Sequence, residues 1–91
     1  MNSANKFSSE LFIAALGTSV QRRRSALGLS QDDVAQRSGL HRTYISELER
    51  HSRNFSIRSF LRISYALEME PSELIRTAEQ MAHADATKSN Q

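Results

Sequence analysis

The chain predicts an all-α domain of five helices, and three observations carry that expectation. Apolar residues recur at helical spacing, beginning with the stripe Leu11, Phe12, Ala15, Leu16 and Val20. Capping residues punctuate such stripes: serines stand at positions 8, 9, 30 and 56, a proline at 71, and glycines at 28 and 39. Between the second and third stripes, Gln31 to Arg50 reads as two short helices joined by a tight turn.

Ninety-one residues supply one modest core and no second one. The chain has no cysteine, which excludes disulfides and thiolate metal sites. No apolar run approaches the roughly 18 residues of a membrane span, and LFIAAL is short and follows the polar NKFSSE. The expectation is a soluble cytoplasmic protein without a membrane partner.

Residues 1–7 are polar and expected to be disordered. Ser8 or Ser9 caps a first helix reaching Leu27, with Gly17 a mild weak point inside it and Gly28 at its C-cap. Ser30 caps the second helix. Ser30 to Asp33 is close to a capping box, and Asp32 and Asp33 lie in the first turn, where the helix dipole favours them. Gln31 stands at that helix start, where its side chain and the free N–H groups can meet a phosphate; the plain alternative is an exposed first-turn residue.

Ala35 is small where a second helix must cross, and Gly39 suits a turn that needs positive φ. Val34, Leu40, Ile45 and Leu48 are spaced to bury one stripe of each helix. Together these are the signature of a helix-turn-helix, whose second helix enters the DNA major groove. The third helix runs from about Arg42 to Arg50, with His41, Ile45, Leu48 and Ser52 on one side and Arg42, Thr43, Ser46, Glu47 and Arg50 on the other. That outer set mixes a guanidinium, hydroxyls and a carboxylate at the end of the helix that reaches base edges. Arg42 suits guanine O6 and N7, and the Thr43 methyl suits a thymine methyl. Tyr44, at the boundary of the faces, either lies along DNA or covers the core edge. In the loop that follows, Arg53 and Asn54 are donors placed for phosphate, the alternatives being solvation and turn chemistry.

Ser56 caps a fourth helix, Ile57 to about Leu67, with Ile57, Phe60, Leu61, Ile63 and Leu67 as its apolar set. Pro71 opens a fifth, which carries Leu74, Ile75, Ala78, Met81 and Ala82. That is more apolar surface than a terminal helix readily hides, so Leu74, Ile75, Ala78 and Met81 are expected at a homodimer interface. The domain is thus expected over residues 8–83, with 84–91 a polar disordered tail.

Charge supports the assignment. Residues 20–62 hold nine arginines against Asp32, Asp33, Glu47 and Glu49, whereas residues 63–91 hold Arg76 and Lys88 against five acids. The basic block coincides with the helix-turn-helix, and the arginine fork suits phosphate and guanine.

The stretch LGTSVQRRRSALGLSQDDVAQRSGLHRTYISELERHSRNFSIRSFLRISYALEMEPSELI resembles the Cro/phage-repressor (Xre-type) helix-turn-helix transcriptional regulators, from about Leu16 to Ile75. Within them, RTYIS-x-x-ER-x-SRN is similar to the controller proteins of restriction-modification systems. The resemblance implies a lambda-repressor-like fold and a homodimer that binds operator DNA, with base or groove contacts from Arg42, Thr43 and Tyr44. Ser46 and Glu47 complete the candidate base-reading set. Backbone contacts are implied for Gln31, Arg53, Asn54 and Ser59, with Arg50 beside them. It also implies a partly buried ion pair between Arg24 and Glu49. Two positions depart from the family pattern: Arg23 stands where an apolar residue is usual, and His41 replaces a small N-cap residue.

Other functions fit less well. His41, His51 and His83 have no metal-ligand spacing, and no glycine-rich phosphate loop exists, so neither an enzyme nor a cofactor is expected. A protein-interaction module of this fold would need no arginine at 42 or 53. A phage-type repressor or an antitoxin of the same fold remains open. The expected partners are double-stranded operator DNA and a second copy of the chain. RNA polymerase joins them where the dimer sits beside a promoter, and the bound form is expected on the bacterial nucleoid.

Overall fold

The computed structural model describes residues 8–89, with side chains through residue 85, and the expected disorder of 1–7 lies outside that range. Five helices follow in order: α1 Ser9–Ala26, α2 Gln31–Ser38, α3 Arg42–Glu49, α4 Ile57–Ala66 and α5 Pro71–Ser89. Each start has a local cause. The Ser8 hydroxyl accepts from the Leu11 N–H at 3.0 Å, and Ser56 does the same for Ser59 at 3.1 Å. Ser30 and Asp33 form a reciprocal capping box with bonds of 3.0 and 2.8 Å. Its hydrogen bonds from the Ser30 backbone N–H and hydroxyl hold the Asp33 carboxyl below the usual range. Gly39 ends α2 at φ 75°, and its N–H returns to the Ala35 carbonyl at 2.9 Å.

α1 packs chiefly along α5, while α2 packs on α3 and α4 and α3 crosses under α1. Val20, Val34, Ile45, Ile63, Leu67, Leu74, Ala78 and Ala82 are wholly buried in one core. Among the described residues no helix is long and apolar enough to cross a membrane.

The packing corrects several expectations. Gly17 is a contact point rather than a weak one: a Cβ there would run into the Leu48 carbonyl oxygen, so the missing side chain lets α1 and α3 meet backbone to backbone. Leu74 and Ala78, expected at a dimer interface, are fully buried against the protomer's own core, because α5 lies along α1. Met81 is half-buried against that core, and Ile75 alone of the expected four stays on the surface. Of the apolar set read for α4, Phe60, Ile63 and Leu67 are buried, whereas Ile57 and Leu61 are 76% and 49% exposed. α5 continues as helix through Ser89, past the Ala84 at which a tail was expected to begin.

The departure at Arg23 also has a physical reason. Its Nε and Nη2 donate to the Leu67 and Glu68 carbonyls at 3.0 and 3.1 Å, satisfying the open end of α4. His41 makes no side-chain cap, which leaves the α3 entry without one. Its ring is exposed, as is Ser52, so neither belongs to the buried side of α3.

Candidate nucleic-acid interface

Three helices are tied beneath the outer face of α3 by one carboxylate. Glu49, on α3, is buried; its Oε2 accepts from Arg24 Nε at 2.7 Å and its Oε1 from Arg24 Nη2 at 2.9 Å. The fork is bidentate, the strong geometry for this pair, and the bond to Glu49 raises the Arg24 pKa. Arg24 also donates to the Leu29 carbonyl at 2.9 Å, which closes the turn between α1 and α2. Gln31 Nε2 donates to the same Glu49 Oε1 at 3.0 Å. The expected ion pair is therefore present, and the Gln31 amide is tethered inward to it. Its position at the start of α2 is fixed from the core side.

With that support, the N-terminal half of α3 stands free. Arg42, Thr43, Ser46 and Arg50 line one shallow depression of about 310 Å³. A neighbouring cleft of about 410 Å³ gathers Thr43, Tyr44, Arg53 and Ser59 with the turn residues Gly39, Leu40 and His41. The structure thus brings most of the expected contact residues onto one continuous face. Their internal partners are specific. Arg42 Nε lies 3.5 Å from Asp32 on α2, both side chains being well exposed. Arg50 Nη1 donates to the Ser46 hydroxyl at 2.8 Å. Arg53 Nε donates to Glu47 Oε1 at 2.7 Å, and its guanidinium carbon lies 5.1 Å from the centre of the Tyr44 ring. Tyr44 is half-buried and bridges core and surface, its hydroxyl donating to the Asn54 carbonyl at 3.4 Å.

The loop after α3 is fastened at its start. The Ser52 N–H and hydroxyl donate to the Glu47 carbonyl at 2.9 and 3.2 Å. His51 takes a positive φ of 65°, and its Nε2 lies 3.0 Å from the Thr18 hydroxyl on α1. Neither Thr18, Arg23 nor the Gln31–Glu49 bond was legible beforehand, because each joins residues 18 or more apart in sequence. Among the described residues no group of three or more His, Cys, Asp or Glu could hold a metal ion.

Comparison with known proteins identifies the family. Residues 20–74 match the family described as Helix-turn-helix. Control protein C.BamHI of Bacillus amyloliquefaciens is 44% identical over 55 residues, which is 60% of this chain and 68% of that protein. The crystal structure of the restriction-modification controller protein C.AhdI from Aeromonas hydrophila has a TM-score of 0.66 at 40% identity, covering 68% of this chain and 94% of that one. That of the C.Esp1396I controller protein, a tetramer in complex with its natural 35 base-pair operator, has a TM-score of 0.73 at 31% identity, covering 78% of this chain and 93% of that one. The chain belongs to the helix-turn-helix family of transcription regulators, with restriction-modification controller proteins among its relatives.

Proposed function

We propose that the protein is a homodimeric operator-binding regulator that places its two α3 helices in successive major grooves, roughly 34–36 Å apart. The observation that carries this reading is the single face on which Arg42, Thr43, Ser46 and Arg50 adjoin Arg53 and Ser59, braced from below by Glu49. In it Arg42, Thr43, Tyr44, Ser46 and Glu47 read base edges, while Gln31, Arg50, Arg53, Asn54 and Ser59 meet the backbone. It acts without catalysis, in the cytoplasm and on the nucleoid when bound, and serves a restriction-modification system as its controller relatives are named for doing. RNA polymerase is the further partner where the operator adjoins a promoter.

The dimer face in this reading is the exposed apolar side of α4 rather than α5. Ile57, Leu61 and Tyr65 follow each other at four-residue spacing and are 76%, 49% and 81% exposed. Ile57 and Leu61 border a groove of about 540 Å³ together with Phe12, Phe55 and Ile75. A contiguous apolar patch on so small a surface is what an isologous contact requires. Leu61→Glu is accordingly expected to give a folded monomer in sedimentation equilibrium; a variant that still sediments as a dimer would place the contact elsewhere.

Selection of bound duplexes from a random pool, at two salt concentrations, tests the whole reading. Two half-sites about one helical turn apart are the expected result, and recovery of no motif would refute it. Against the selected operator, Arg42→Ala is expected to cost about 1–3 kcal/mol and to relax preference at one base pair. Equal loss on every duplex would make Arg42 a phosphate contact only.

A further inference from the structure

Glu47 is an acid on the face that carries Arg42, Arg50 and Arg53, and it does not stand alone. Its Oε1 holds Arg53 Nε at 2.7 Å, its backbone carbonyl holds Ser52 twice, and Arg53 packs over the Tyr44 ring. The Glu47 side chain is 27% exposed and that of Arg53 49%, so both reach the surface while remaining paired. A duplex that approaches this face meets a carboxylate and a guanidinium already neutralising each other.

Drawing Arg53 away to a phosphate strands the carboxylate in a strongly negative groove. That cost is relieved only where the bases offer a hydrogen-bond donor, and the major-groove donors are cytosine N4 and adenine N6, of which a carboxylate pairs with cytosine. We infer that Glu47 is a specificity-determining residue acting through Arg53: it keeps Arg53 from phosphate on non-operator DNA and releases it where a cytosine amino group replaces the guanidinium as its partner. One residue then couples base reading to backbone affinity. The inference rests on the operator-binding reading above.

The test compares wild type, Glu47→Gln, Arg53→Ala and the double variant on the selected operator, on the operator with its α3-facing cytosines replaced, and on a random-sequence duplex across a salt series. Glu47→Gln is expected to tighten binding to the random duplex about two- to fivefold, the usual worth of an exposed ion pair. It is expected to steepen the salt dependence there by about 0.9 in log–log slope, one added phosphate contact. On the operator it is expected to lose at least about fivefold, the lower end for one specific base contact. Both random-duplex effects are expected to vanish when Arg53 is already alanine.

Three outcomes overturn the inference. Equal tightening on all duplexes, persisting without Arg53, means simple repulsion between Glu47 and DNA. Equal weakening on all duplexes means that Glu47 only orders the loop. Operator affinity indifferent to every cytosine removes the coupling. Each of these leaves operator binding itself intact, whereas failure to select any operator would refute the underlying reading instead.

Discussion

Glu49→Ala is expected to lower the unfolding free energy by about 3–5 kcal/mol, the usual loss when one partner of a buried ion pair is removed. The Glu49 side chain is 3% exposed and that of Arg24 15%, so the orphaned guanidinium has little water to turn to. Gln31 loses its partner in the same step. Three helices are loosened at once, since Arg24, Gln31 and Glu49 belong to α1, α2 and α3. Urea unfolding measures the loss. A value under about 1 kcal/mol would mean that Arg24 escapes to solvent and that the pair is no more than a surface contact. Operator affinity is expected to fall as well, because the start of α2 is no longer fixed against α3.

Leu48→Ala is expected to cost about 2–5 kcal/mol, toward the upper end of that range. The side chain is 1% exposed, and the cost of such a truncation depends on how far the surroundings can collapse into the space. Here they can collapse little. The backbone of Leu48 already abuts Gly17, so α1 and α3 cannot move closer to fill the void. Calorimetry should show a fall in Tm of about 10–30 °C for a domain of this size. An unchanged melting curve would mean that α3 packs differently from the structure.

Fold and face were legible in the sequence to different depths. All five helices were readable from caps and apolar stripes, and so was the turn at Gly39, because those signals act within a few residues. The Arg24–Glu49 pair came from a family resemblance, since nothing local links two residues 25 apart. Ile57 and Leu61 were grouped in one apolar set with the buried Phe60, Ile63 and Leu67 because periodicity gives the face of a helix and not what covers it. Leu74 and Ala78 failed in the opposite sense: α1 offered them a surface that no count along α5 reveals. Gly17 looked costly when weighed as helix propensity alone, and only the crossing of α3 shows its use. In the candidate site, residue types and positions on α3 were readable, whereas the internal pairing of Arg53 with Glu47 depends on how the loop folds back.

The burial of Leu74, Ala78 and Ala82 within one protomer has a consequence for dosage. A chain whose core closes by itself does not need a partner in order to fold, unlike obligate dimers that have no stable monomer. On the α4 face proposed above, pairing is a step separate from folding, and its extent depends on protein concentration. Substitutions on the exposed face of α4 are therefore expected to change assembly without changing the stability of the fold.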